Sequence, residues 1–338
     1  MKISATLSCN IIAIVLGCLA LIVLPNALDL YSLINASVYI SLALFALSMA
    51  LIWGHGGLLC FGQSMFFGLG AYGYAVAGIN LTDSTWAIPI GVLAPMLFAI
   101  ILGYFIFYGR LSDIYFGVIT LTATLILFKL ANSSSGDAWH IGEAQLGGFN
   151  GMPNIPPLNM PFSPADPLSP QAAFIFAVVV LVLGYVLSKW LIGSRFGRVI
   201  AAVRENEVRA ELLGYDSRLV KLITFAIGAG IAGMAGVLFA TSVFVSPTVF
   251  SLSNSAQVLI WVVVGGIGTL AGPMIACVLL QILSAWLGTT GVIDPNIVLG
   301  GVLTLFVLLI PQGLLPWLIK HLPETLRPGK VKTAVTHE

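Results

Sequence analysis

Charge is what this sequence has least of. Only 8% of its 338 residues are Asp, Glu, Lys or Arg, against 59% hydrophobic, and the mean hydropathy is +1.04. A soluble domain carries about 25% charged residues, so this inventory cannot face water on every side. Acid and base nearly cancel, 13 against 14, and no polybasic patch suits nucleic acid. The four cysteines (Cys9, Cys18, Cys60, Cys277) lie in or beside apolar runs without metal-ligand spacing, and read as buried, inert thiols. The four histidines (His55, His140, His321, His337) are scattered, and no Ser/His/Asp set falls at membrane depth, so intramembrane catalysis lacks a constellation. The apolar runs also hold no interior Asp, Glu, Arg or His; Asp29, Asp83, Asp113 and Asp294 sit at their ends. Ion-driven pumps keep ionisable groups inside the membrane. A proton relay is therefore unsupported, while sodium coupling through backbone carbonyls stays open. Solute moved uphill would have to draw on energy from another polypeptide.

Present instead are long hydrophobic runs. A helix needs about twenty apolar residues to cross a bilayer, and ten candidates can be marked: 7–24, 33–53, 61–79, 86–108, 114–130, 172–191, 222–243, 256–267, 274–288 and 297–319. The eighth and ninth are short, and one of them is expected to be broken or re-entrant. The first run, after Lys2, reads as an uncleaved helix rather than a signal peptide, because further spans follow at once. The class is all-α: a polytopic integral membrane protein of about ten transmembrane helices, in one transmembrane domain covering 1–338.

What charge there is collects in one place. Seven of the fourteen Lys and Arg residues (Lys189, Arg195, Arg198, Arg204, Arg209, Arg218, Lys221) lie between 189 and 221, with Glu205, Glu207, Glu211 and Asp216 among them. A segment this polar lies in water, and its basic excess puts it inside the cell. Arg110 and a basic tail over 320–338 (Lys320, Arg327, Lys330, Lys332) then also fall inside, as do both termini. The connections near Asp29, Asp83, 132–171 and 288–295 fall outside, and none contains Lys or Arg. Lys129, near an outer span end, can snorkel to the interface. From 199 to 213 the spacing predicts a helix with Val199, Val203, Ala210 and Leu213 on one face, and Glu205 pairing with Arg209 four residues on. Such a helix lies on the membrane or fits a cleft on a nucleotide-hydrolysing partner.

Three other features organise the chain. The external segment 132–171 has seven prolines, three acids and no base. Proline at that density forbids a long helix, so an irregular loop with one short helix is expected, either merely solvated or a landing surface. Two glycine-rich turns, 54–63 and 265–273, each join a descending and an ascending span. The glycines Gly62, Gly265, Gly266, Gly268 and Gly272 mark tight turns or pore-lining breaks, and their equivalent placement hints at an internal repeat. Neither turn has the Gly-Lys-Ser/Thr of a phosphate loop. The seventh span spaces Gly228, Ala232, Gly236 and Ala240 four apart, a groove for a helix of this chain or of a neighbouring subunit.

The stretch SRFGRVIAAVRENEVRAELLGYDSRLVK, at 194–221, resembles the permease subunits of branched-chain amino acid ABC importers, in particular the longer of their two permeases, whose family includes a urea-importer permease. Further pieces carry the likeness in order: GLLCFGQSMFFGLGAY at 57–72, RLSDIYFGVITL at 110–121, LGGFNGM at 146–152, FVSPTVF at 244–250, VVVGGIGTLAGP at 262–273 and PQGLLP at 311–316. The resemblance implies the ABC importer permease fold in a bacterial inner membrane. It also implies a second related permease, two ABC ATPases that carry ATP-Mg, and a periplasmic substrate-binding protein, with no cofactor on this chain. The segment 193–219 then corresponds to the ATPase-docking loop, with Arg198, Arg204, Glu205, Asn206, Ala210 and Gly214 as its expected docking residues. Its general motif is Glu-Ala-Ala, three residues, Gly; Ala210 and Gly214 match, while Val208 and Arg209 replace the first two positions. Leu146 stands where many relatives have Thr. The neutral polar groups Gln63, Thr120, Thr122, Gln257 and Gln281 are the expected substrate path. Aliphatic amino acids are the first substrate class, urea or short amides the second, the latter suggested by Trp261 and the residues after it. An autonomous channel needing neither ATPase nor receptor is the competing mechanism.

Overall fold

The computed structural model describes residues 29–136, 138–161 and 163–290, with positions 300, 301, 304, 313 and 314. The expected spans 7–24 and 297–319, and the tail 320–338, lie outside these residues or almost wholly so. The eight expected spans between them are all helices. They are α1 (Leu30–Met49, running into a π-helical turn at Ala50–His55), α2 (Gln63–Leu81), α3 (Ser84–Tyr108), α4 (Asp113–Ser133), α5 (Pro170–Gly193), α8 (Ser217–Ala240), α9 (Leu252–Gly265) and α10 (Ala271–Thr290), with α6 (Arg195–Glu205) and α7 (Glu207–Leu212) between α5 and α8. Six of these helices are long and apolar enough to cross a membrane. The 14-residue α9 reaches only about 21 Å at 1.5 Å per residue, short of a hydrocarbon core of about 30 Å. The short member of the eighth and ninth spans is thus the eighth.

Helix α8 is the axis of the bundle. Its glycines let three neighbours approach at backbone distance. A Cβ on Gly228 would stand 2.3 Å from the Ile52 side chain, one on Gly233 2.3 Å from Pro95 of α3, and one on Gly236 2.0 Å from the Phe67 carbonyl of α2. The expected groove is therefore filled from within the chain. Of the two prolines inside α3, Pro89 is exposed and Pro95 is buried against Gly233 of α8. Nearer the charged end, Phe225 of α8 meets Phe66, Phe107 and Phe116 edge-on, at centroid distances of 5.1, 6.0 and 5.3 Å. These rings fasten α2, α3 and α4 to the axis. Most of α4 stays bare: Ile114, Tyr115, Val118, Ile126 and Leu130 are all more than half exposed.

The proline-rich segment 132–171 holds two small hairpins, β1 (His140–Ile141) with β2 (Ala144–Gln145) and β3 (Asn159–Met160) with β4 (Ser163–Pro167), and one 3-10 turn at Gly148–Asn150. Its only helix among the described residues is that single turn. Two asparagines tie it down. Asn80 Nδ2 donates to the Ile141 carbonyl at 2.8 Å, and its Oδ1 accepts from the Glu143 amide at 2.8 Å. Buried Asn159 accepts from the Ser84 amide at 2.7 Å and donates to Asp83, whose carboxylate caps α3 through the Thr85 amide. Donors on that exposed carboxyl, the Thr85 amide first, then the Thr85 hydroxyl and the Asn159 side-chain amide, hold it below the usual aspartate range.

Candidate coupling surface and translocation path

The charged segment folds as two helices rather than one. Asn206 has extended backbone, and its side chain accepts from the Arg209 amide at 2.9 Å, closing α6 and capping α7 at one residue. The break resets the helical phase. Of the predicted face, Val203 and Ala210 are buried and Val199 is half-buried, with Gly197 and Ile200 buried beside them, but Leu213 is 71% exposed. Glu205 and Arg209 do not pair across the break. Glu207 instead pairs with Lys221 of α8 at 2.7 Å, and Glu211 accepts from Ser217 Oγ at 2.6 Å. The end of α7 is a Schellman motif: the Gly214 amide donates to the Glu211 carbonyl and the Tyr215 amide to Ala210, with Gly214 at φ +89°. These bonds hold α7 with Val208, Leu212, Leu213 and Tyr215 exposed on an otherwise charged segment.

Partial burial pushes the Glu207 carboxyl up, but the hydrogen bond and charge of Lys221 outweigh it, so the group stays below its ordinary value of 4.5. A carboxyl lowered in the folded state stabilises above its unfolded pKa and loses that contribution as pH falls through the folded one. With Glu207 41% exposed, the pair is worth about 0.2–1 kcal/mol after solvent screening. Amide exchange over 207–213, corrected for its intrinsic pH dependence, should speed up only as the pH falls below the ordinary carboxylate value of 4.5. Glu207→Gln should remove that dependence and exchange faster already at neutral pH.

Next to this segment the two glycine-rich turns meet. The Arg204 guanidinium donates to the Gly54 carbonyl, and its stem lies where a Cβ on Gly57, at φ +74°, would come within 2.9 Å. A Cβ on Gly54 would stand 3.1 Å from the Gly268 nitrogen; one on Gly265, 2.3 Å from the Gly272 carbonyl carbon; one on Gly313, 2.2 Å from the Gly266 Cα. Sequence spacing placed the two turns in equivalent positions without showing that they touch, and left the PQGLLP piece without a role. Gly62 plays a separate part. A Cβ there would stand 2.0 Å from the Thr120 carbonyl, and Thr124 Oγ1 donates to the Gly62 carbonyl at 3.1 Å, so α2 and α4 touch at this point.

The expected path residues divide. Gln63 is fully buried, and its Nε2 donates to Ser48 Oγ at 3.0 Å while its Oε1 has no partner among the described residues. Thr120, buried beside Gly62, donates to the Gly117 carbonyl; Thr122 faces outward on the bare side of α4 and donates to Val118; Gln257 is half-buried on α9. Gln281 is half-buried on α10. Serines supply what the sequence reading missed. Ser64 Oγ lies 2.6 Å from Ser255 Oγ, joining α2 to α9 beside Gln63. A serine inside an apolar run is too common to stand out; its adjacency to Gln63 was the available signal. Under the first hairpin, a cavity of about 790 Å³ opens between α2, α3 and α4, lined by Tyr72, Val76, Leu127, Trp139, Leu146 and Phe250. The Tyr72 hydroxyl has no partner among the described residues. No group of three His, Cys, Asp or Glu that could hold a metal occurs among the described residues, and Cys60 and Cys277 are buried as free thiols.

Known proteins place this architecture. Residues 32–310 match the family model described as the branched-chain amino acid transport system / permease component. The chain is 29% identical over 294 residues to the high-affinity branched-chain amino acid transport system permease protein LivM of Escherichia coli (strain K12), covering 81% of this chain and 67% of that protein. It is 28% identical over 310 residues to LivM of Salmonella typhimurium, covering 86% and 70%. It is also 34% identical over 126 residues to the permease protein LivH of Escherichia coli (strain K12), covering 36% and 40%. No solved structure matches. With the family model spanning most of its length, this multi-pass chain belongs to the branched-chain amino acid transport system permease family.

Proposed function

We propose that this chain is one permease subunit of a binding-protein-dependent importer in a bacterial inner membrane, moving branched-chain amino acids on ATP hydrolysed elsewhere. The observation that carries this reading is the apolar ridge Val208, Leu212, Leu213 and Tyr215 on a charged, water-facing segment. Exposed apolar side chains rimmed by charge mark a protein- or membrane-contact surface, and we read this one as protein-docking. One of two partner ATPases, each with ATP-Mg, would seat here, with Arg198, Glu205, Asn206, Ala210 and Gly214 forming or shaping the contact. Matches to both LivM and LivH support a second, related permease. The bare face of α4, with Thr122 on it, is the surface assigned to that partner. A periplasmic receptor would dock on the external segment.

The polar groups on the expected path are neutral, and the cavity under the first hairpin is lined almost wholly by apolar side chains, which suits an aliphatic solute handed over by a selective receptor. Urea or short amides stay the second substrate reading, carried in part by the residues from Trp261 to Gly266; the Trp261 side chain itself is 2% exposed and packs edge-on to Phe45 at 6.4 Å. Reconstitution with the second permease, the ATPases and the receptor should give ATP-dependent uptake of radiolabelled leucine; the chain alone should concentrate nothing. Accumulation by the chain alone, or ATP-driven uptake of urea without leucine, overturns the assignment.

A further inference from the structure

The charged segment and both glycine-rich turns are joined through one side chain. The π-helical turn at the end of α1 sends the Gly56, Gly57 and Leu58 amides back to Leu51, Trp53 and Ile52. No main-chain donor among the described residues reaches the buried Gly54 carbonyl. An open carbonyl at a helix end needs a donor, and Arg204, from the last turn of α6, supplies it with a charge-assisted bond. Gly54 in turn lies against the backbone of Gly268, and the turn between α9 and α10 is closed on itself by Gly265 and Gly272. From the guanidinium to that turn the contacts are backbone on backbone, with no flexible side chain between to absorb a displacement.

We propose that Arg204 is a positioning residue, a strut that carries movement of α6 and α7 into the broken end of α1 and the α9–α10 turn. It is then not a docking contact, although the docking motif surrounds it. This inference rests on the importer reading. Much of the Arg204 side chain remains exposed, so removing its charge empties no core site.

The test uses the complete assembly of both permeases, the ATPases and the receptor in proteoliposomes, read as leucine taken up per ATP hydrolysed. Arg204→Met should keep the ATPases bound and lower that ratio by about tenfold or more, within the usual range of coupling effects. Arg204→Lys, which still offers a charged donor to one carbonyl, should recover most of it. Loss of the ATPases from Arg204→Met makes the residue a docking contact and overturns the strut; a ratio within about twofold of the parent does so too. If Arg204→Met fails to reach the membrane, Gly54→Ala, which leaves the charged segment untouched, decides by the same ratio. A parent chain that binds no ATPase defeats the importer reading itself, whereas a coupled parent with an equally coupled Arg204→Met defeats the strut alone.

Discussion

Replacing Gly236 by leucine is expected to leave little folded protein in the membrane. Lipid is as apolar as leucine, so helices in a bilayer associate through close packing and hydrogen bonds rather than by escaping water. In α8 that packing is backbone against backbone, for even a methyl group at 236 would lie 2.0 Å from the Phe67 carbonyl and 2.8 Å from the Ala71 nitrogen. Neither neighbour is a side chain that could rotate away. Overpacking a well-filled site costs about 1–3 kcal/mol when side chains can adjust. Here a whole helix must move, and Gly70 on α2 would lose its own contact with Gly233, where a Cβ stands 2.2 Å from the carbonyl. A loss above about 3 kcal/mol follows, a large fraction of the 5–15 kcal/mol that typical folded proteins hold. Gly193→Ala and Gly288→Ala are the controls: a Cβ at either position meets nothing within 4 Å, so stability should change by less than about 0.5 kcal/mol. Thermal unfolding in detergent separates the cases. A Gly236→Leu chain that melts with the parent would mean that α8 does not pack on α2 as described.

The features readable in advance were those set by solvent. Span positions follow from which residues tolerate hydrocarbon, and eight expected spans became helices within a few residues of their marked ends. Features set by contact were not readable. Nothing in the spacing of the seventh span says whether Gly236 meets another helix of this chain or another subunit; the Phe67 carbonyl answers that. The helical face drawn through Val199, Val203, Ala210 and Leu213 failed at Leu213 because one side chain, Asn206, caps a new helix and shifts the phase. Asparagine before Glu-Val-Arg was a visible cap signal, outweighed in the reading by continuous apolar spacing. The path residues fared likewise: Gln63 was found by its polarity, while Ser64 and Ser255, 191 positions apart, become a pair only once α2 and α9 are side by side.

Uptake by Gly214→Val should fall about tenfold or more, although the chain inserts and folds as before. Gly214 holds φ +89° at the end of α7, and a Cβ there would touch nothing within 4 Å; the whole penalty is therefore conformational. A β-branched residue is a genuine outlier in the left-handed region, and for an ordinary L-residue that conformation costs about 1–2 kcal/mol. That is too little to unfold a bundle held by α8. It is enough to shift a local equilibrium roughly tenfold, since 1.4 kcal/mol is one decade, and the equilibrium in question is whether the Schellman turn keeps Leu212, Leu213 and Tyr215 in one ridge. Asparagine tolerates left-handed backbone, so Gly214→Asn should keep most of the activity, a distinction that neither side-chain volume nor loss of a contact can produce. An autonomous channel would not depend on this turn, and its flux would be the same in all three chains. ATP-driven uptake measured for parent, Gly214→Asn and Gly214→Val at matched membrane levels therefore tests the turn and the mechanism together: graded loss places the motor on α7, and equal flux removes the motor from the account.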